Sequence, residues 1–154
     1  MKLRFGTPEH GWLPTMFEVE SLSLAFDASD VPCDFPSQLI AALSGVLTTP
    51  GEHTATLFEE PTEHDWRFRS SDSSAASFEI ARYPDGRRAR GTGEVVVSVS
   101  SSPLGLALPL WRGLRELANR ARTEAFPSHE YELFPFEALD RLTERIEHAR
   151  TTPP

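Results

Sequence analysis

The chain has 154 residues, of which 39% are hydrophobic and 25% are charged, as is usual for a single globular domain and not for a disordered or membrane-embedded chain. Its 23 acidic residues outnumber its 15 basic ones, and the net charge of −8 disfavours nonspecific binding to nucleic acid or to an anionic membrane surface. A single cysteine excludes an internal disulfide, and the longest apolar run is about half of a membrane span. We therefore expect a cytoplasmic protein with one domain over residues 1–150 and a disordered tail over residues 151–154.

Alternating apolar residues predict two strands at the start of the chain. Leu3 and Phe5 alternate with charged neighbours in a short first strand. The next strand changes the phase of its alternation between Phe17 and Phe26. A β-bulge near Ser21 would restore one apolar face, so we expect a single long strand here.

The first helix is predicted to begin at Asp34-Phe35-Pro36, because proline is tolerated in the first turn and an acidic residue is favourable at that end. The apolar residues that follow share one helical stripe: Leu39, Ile40, Leu43, Val46 and Leu47. Pro50 and Gly51 end the helix.

Four further strands are predicted at about 53–60, 64–70, 75–83 and 91–100, each separated from the next by a turn of hairpin length. Such short links favour an antiparallel meander, because parallel strands need a much longer connection.

Two helices are predicted at the end of the chain. One follows Pro109, and the other follows Pro135 with Leu139, Leu142 and Ile146 on one side. The order β-β-α-β-β-β-β-α-α indicates an α+β fold. We expect a twisted antiparallel sheet of about five or six strands with the helices packed on one face.

No motif for catalysis, metal binding or cofactor binding appears. The five histidines are scattered without the spacing of a zinc site, and no glycine-rich phosphate loop or nucleophile elbow occurs. Cys33 lies among acidic residues, which disfavour a reactive thiolate. Arg87, Arg88 and Arg90 form a basic cluster at a hairpin tip that we interpret as a solubilising turn or a contact with a neighbouring subunit. We therefore expect no catalytic residue, no metal and no cofactor.

An acidic cluster at one hairpin is the strongest candidate for a binding surface. A solvated turn that prevents edge pairing, a cation site and a surface for a basic partner are its three interpretations. Trp12, in a Gly-Trp-Leu-Pro loop, is the tryptophan most suited to a contact surface. The residues predicted to bind a protein partner are Glu59, Glu60, Glu63, His64, Asp65 and Trp12.

Two motifs suggest a family likeness: Phe-Asp-Ala-Ser at 26–29 and Leu-Trp-Arg-Gly-Leu at 110–114. With the order of elements and the acidic balance, they make the chain resemble small uncharacterised bacterial proteins that include the immunity proteins of polymorphic toxin systems. The resemblance implies a cytoplasmic protein that binds a cognate toxin and blocks its active site or substrate path. The net charge of −8 favours a basic toxin as the partner.

Two other functions stay open. A small enzyme or ligand-binding protein would have a pocket between the sheet and the last two helices, with His129, Glu130, Tyr131 and Glu132 as its polar candidates. A self-associating module would form a homo-oligomer through an unpaired sheet edge.

Overall fold

The computed structural model describes residues 1–32, 34–72, 74–85, 92–124, 126 and 134–151. These residues form seven strands and three helices. The strands are β1 (Lys2–Phe5), β2 (Trp12–Val19), β3 (Leu22–Ser29), β4 (Gly51–Glu59), β5 (Thr62–Ser70), β6 (Ala76–Tyr83) and β7 (Glu94–Ser101). The helices are α1 (Phe35–Thr48), α2 (Pro103–Thr123) and α3 (Phe136–Thr151). The α+β class predicted from the sequence is confirmed.

The strands form two antiparallel sheets, one of three strands in the order β1-β2-β3 and one of four strands in the order β4-β5-β6-β7. The single sheet of five or six strands expected from the sequence is thus divided in two. β3 and β4 lie beside each other, but no ladder joins them. A side chain makes the connection instead, because the Glu59 carboxylate accepts a hydrogen bond from the backbone N–H of Asp27 at 3.1 Å.

The long strand expected through Ser21 is a hairpin. Val19 pairs with Leu22 across a two-residue turn, and Glu20 in that turn has a φ of 52°. The expected β-bulge is therefore wrong. The phase of the alternation changes because the chain reverses direction, and Leu22 at the start of β3 remains 40% exposed.

The predicted start of α1 and the buried stripe of α3 agree with the structure. Asp34 caps α1 by accepting a hydrogen bond from the Ser37 N–H at 2.7 Å. Leu139, Leu142 and Ile146 of α3 are buried. Thr151, expected in the tail, is the last residue of α3, and residues 152–154 lie outside the described residues.

Helix α2 begins earlier than the sequence suggested. Ser102 caps it by accepting a hydrogen bond from the Gly105 N–H at 3.0 Å, and Pro103 occupies the first turn. Pro109, expected to precede the helix, lies inside it. The apolar run that follows Pro103 is therefore helical from its first residue.

The core is centred on Trp66 of β5, whose side chain is fully buried. Its ring lies 5.1 Å from that of Phe17 in β2 and 5.0 Å from that of Phe35 at the start of α1. Phe26 of β3 and Phe78 of β6 complete the cluster, at 6.1 and 5.5 Å from Trp66. The inner faces of both sheets and helix α1 thus meet at one side chain.

Helix α2 lies directly against the backbone of β1. A Cβ atom added to Gly113 would be 2.5 Å from the carbonyl oxygen of Leu3. Farther along α2, the Arg120 guanidinium donates hydrogen bonds to the Phe5 carbonyl and to the Thr7 hydroxyl, both at 2.9 Å. Close approach and these hydrogen bonds together fix the helix on the edge of the three-stranded sheet.

We expect Trp66→Ala to lower the free energy of unfolding by about 3–5 kcal/mol, because it removes the ring that joins both sheets and α1. Urea unfolding followed by circular dichroism measures the change. Met16→Ala, at a side chain that is 39% exposed, serves as the control, with an expected change of no more than about 0.5 kcal/mol. Equal losses in the two variants would contradict this account of the core.

We expect Gly113→Ala to lower the free energy of unfolding by about 1–3 kcal/mol, because the added methyl group forces α2 away from β1. Arg112→Ala, at an exposed neighbour, is the matched control and should have little effect. Thermal unfolding of both variants tests the close approach, which is disproved if Gly113→Ala is as stable as the unsubstituted chain.

Candidate functional site

The structure separates the residues predicted to bind a partner. Glu60 is exposed, whereas Glu59, Glu63 and Trp12 are half-buried. His64 and Asp65 have only 4% and 7% of their surface exposed. The prediction of one solvated acidic patch is therefore wrong for these two. The reason is that each of these two residues of β5 packs against a neighbour: the His64 ring lies 4.8 Å from that of Phe26, and Asp65 accepts hydrogen bonds from Thr56 and Arg67.

Trp12 and Glu59 line the same concave surface on the outer side of the three-stranded sheet. Two adjoining cavities of about 390 and 490 Å³ share Pro14, Asp27 and Glu59 in their walls. We name this surface the acidic groove. Its walls include Glu9, Trp12, Pro14, Met16, Asp27 and Glu59.

The alternation of β2 explains the apolar floor of the acidic groove. Leu13, Thr15 and Phe17 are buried, so the residues between them point to the opposite side of the sheet. Trp12, Pro14 and Met16 occupy that outer side. Sequence analysis missed Pro14 and Met16, although the phase of the buried residues in β2 was a signal that could have found them.

A tight turn sets the position of Trp12. Glu9 and Trp12 exchange two backbone hydrogen bonds, of 2.9 and 3.0 Å. His10 and Gly11 between them have φ values of 53° and 82°, the left-handed conformation that a type I′ turn requires and that glycine adopts readily. The turn places the carboxylate-bearing residue Glu9 beside the indole at the start of β2.

Glu59 is held in the groove wall by the neighbouring sheet. One carboxylate oxygen accepts the Asp27 N–H at 3.1 Å, and the other lies 3.7 Å from Nδ1 of His64. Next to it, Glu60 accepts a longer hydrogen bond from the Ser29 hydroxyl at 3.5 Å. The β4–β5 hairpin therefore brings its carboxylates to β3, where Asp27 adds another.

The His64 imidazole beneath Glu59 is neutral at pH 7. Burial and the positive charge of Arg82 lower the pKa of His64 from 6.5 to about 4. The 3.7 Å contact with Glu59 is therefore not an ion pair at neutral pH. Nδ1 has no hydrogen-bond partner in the described part of the chain.

Acidic charge dominates the groove. Arg4, which lines one end, already pairs with Glu18 at 3.1 Å. Glu9, Asp27 and Glu59 line the same cavity as Trp12. His10 also lines it, with its Nε2 3.5 Å from the Glu9 carboxylate. The groove thus combines a half-buried aromatic ring with negative charge, and this combination suits a cationic group.

Asp65 has a different role. It accepts hydrogen bonds from the Thr56 hydroxyl at 2.9 Å and from the Arg67 guanidinium at 3.3 Å. Arg67 also donates to the Tyr83 hydroxyl. Because both charges of the Asp65–Arg67 pair are nearly buried, we assign Asp65 to the stability of the four-stranded sheet.

Several predicted features lie outside the described residues, namely Cys33, Arg87, Arg88, Arg90, His129, Glu130, Tyr131 and Glu132. Within the described residues, no group of three or more His, Cys, Asp or Glu side chains is placed to hold a metal ion. The described helices include none that is long and apolar enough to cross a membrane.

Fold and groove together define an α+β protein with two antiparallel sheets and an acidic concave surface. No protein-family model and no curated protein matches the chain. It is similar to a chain in the solved structure of the CdiA-CT/CdiI toxin and immunity complex from Enterobacter cloacae, with a TM-score of 0.46 and 8% sequence identity. The match covers 74% of this chain and 97% of that one. This similarity is too low to assign a function to the chain.

We expect the free energy of unfolding to fall as the pH is lowered from 6.5 towards 4, in part because of His64. The unfolded chain binds a proton at His64 near pH 6.5, whereas the folded chain binds it only near pH 4, so protons favour the unfolded state between these values. Urea unfolding across this range should show a weaker pH dependence in His64→Gln. His148→Gln, at an exposed histidine of α3, should keep the slope of the unsubstituted chain, and identical slopes in all three proteins would refute the assignment.

Proposed function

We propose that the protein is a non-catalytic module that binds a basic protein partner through the acidic groove. The observation that carries the proposal is that Trp12, Asp27 and Glu59 line one open cavity of about 490 Å³. These residues come from β2, β3 and β4, so the site is formed by both sheets.

The chemistry of the groove favours an arginine side chain as the contacting group. A guanidinium stacks on an aromatic ring and forms paired hydrogen bonds with carboxylates. Trp12 offers the ring, and Asp27 and Glu59 offer the carboxylates. Since Glu59 is already oriented by the Asp27 N–H, binding requires little further ordering of its side chain.

The net charge of the chain supports the same partner. A charge of −8 attracts a basic protein over a distance and raises the rate of encounter. Proteins that act on nucleic acids carry basic surfaces. A module that covers such a surface inhibits the protein that carries it. This would be an immunity-type role, which the resemblance noted for residues 26–29 and 110–114 also implies.

A labelled peptide with spaced arginines in a Gly-Ser background tests the groove without a known partner. We expect Trp12→Ala to weaken its binding about tenfold, and the double variant Asp27→Asn/Glu59→Gln to do the same, because stacking and charge-assisted hydrogen bonds are lost. Fluorescence anisotropy at low salt measures the dissociation constants. Glu59→Gln retains an oxygen that can accept the Asp27 N–H, so the fold should be preserved.

Glu144→Gln/Glu147→Gln is the matched control, because it removes the same charge from exposed positions of α3. The proposal requires this variant to bind the peptide like the unsubstituted chain. If the α3 variant loses as much affinity as the groove variant, binding depends on net charge alone and the groove is not the site. Absence of peptide binding to the unsubstituted chain would also count against it.

A further inference from the structure

Three of the four outer strands in the two sheets have their edges covered by other parts of the chain. Helix α2 covers β1, where Gly113 approaches the Leu3 carbonyl and Arg120 donates to the Phe5 carbonyl. An uncovered edge strand presents unpaired N–H and C=O groups to other chains, and proteins usually protect such edges. The edge of β1 is therefore protected in the usual way, by another part of the chain.

The edges of β3 and β4 are covered by side chains. On β3, the Asp27 N–H donates to Glu59. On β4, the side-chain amide of Gln38 donates to the Thr56 carbonyl and accepts from the Thr56 N–H, both at 3.0 Å. This pair of hydrogen bonds imitates a neighbouring strand. Both edges are thus closed to pairing at these positions.

The edge of β7 has no such cover in the described part of the structure. β7 pairs with β6 on one side. Within the described residues, no hydrogen bond joins its other side to another strand, helix or side chain. Its sequence, Glu-Val-Val-Val-Ser-Val-Ser-Ser, contains four valines, one charged residue and no proline. Val95 is 51% exposed. The strand has a high propensity for pairing and lacks the lysine or proline that usually prevents it. The register between β6 and β7 shifts between Ile80 and Ala81, whose partners are Val97 and Val95, so the ladder is uninterrupted from Val97 to Ser101.

We propose that β7 pairs with β7 of a second copy of this chain, in antiparallel orientation about a twofold axis. The two four-stranded sheets would then form one continuous sheet of eight strands. A twofold antiparallel pair places one residue opposite its own copy. If the pairing is centred on the stretch from Val95 to Ser101, that residue is Ser98.

The distribution of charge favours a second copy over a basic partner. Between Val95 and Ser101 the edge carries no charged residue, so a basic strand would find no carboxylate to pair with. In the symmetric pair the two Glu94 carboxylates lie about 27 Å apart at opposite ends of the interface, at 3.4 Å per residue. The chain is acidic, with a net charge of −8, and β7 is a stretch along which two copies can pair without placing like charges opposite each other. None of the groove residues belongs to β7.

Ser98→Lys tests the interface, because it places two lysines opposite each other at the twofold axis, and directly opposed like charges destabilise strand pairing. Ser98 is exposed and pairs with Glu79 on β6, which is compatible with a lysine in the folded monomer. Ser23→Lys is the matched control, since it adds the same charge to an exposed position of β3 opposite Glu18. Circular dichroism verifies that both variants fold.

Sedimentation equilibrium over a wide range of concentrations should give the unsubstituted chain a mass approaching twice the 17.2 kDa of one chain. We expect Ser98→Lys to raise the dimer dissociation constant at least about fivefold, and Ser23→Lys to leave it unchanged. Hydrogen exchange of the β7 amides should slow as the concentration rises. The proposal is overturned if the chain remains monomeric at every concentration. It is also overturned if Ser98→Lys weakens the dimer no more than Ser23→Lys does.

Discussion

The packing around Trp66 is the interaction on which the rest of the structure depends. Phe17 and Phe26 come from one sheet, Phe78 from the other, and Phe35 from α1, and all four surround the same indole. Its Nε1 has no hydrogen-bond partner in the described residues, which costs about 1–3 kcal/mol. The apolar contacts of a fully buried tryptophan exceed that cost. Because the sheets share no ladder, the distance between them is set mainly by this cluster.

Local patterns in the sequence predicted the local structure well. The predicted stripe of Leu139, Leu142 and Ile146 is buried in α3, and the cap at Asp34 marked the start of α1. The predictions that were wrong concerned alternatives that fit the local sequence equally well. Contacts between residues that are far apart in the chain decide between them. A change of phase near Ser21 fits a bulge or a turn equally well, and a proline such as Pro109 fits either the start or the interior of a helix. The division into two sheets depends on contacts between residues that are far apart in the chain, which periodicity does not report.

The groove was predictable only in part, for the same reason. Trp12 and Glu59 were identified by residue type and by local charge. Asp27 lies 32 residues before Glu59 in the chain and reaches the groove through the pairing of β3 with β2. His64 was assigned to the surface because it adjoins the acidic residues in the sequence, whereas its ring is buried against Phe26 of the other sheet. Charge clusters in a sequence therefore indicate a surface reliably only when the packing of the neighbouring strands is known.

The hydrogen bond from the Asp27 N–H to Glu59 couples ligand binding to the stability of the whole fold. Glu59 belongs to one sheet and Asp27 to the other, so the groove wall forms only when the two sheets are docked. A ligand that binds this wall binds the docked state and stabilises it by mass action. The gain in the free energy of unfolding grows with the logarithm of the ratio of ligand concentration to dissociation constant. A ligand bound at this wall would therefore raise the melting temperature of the protein.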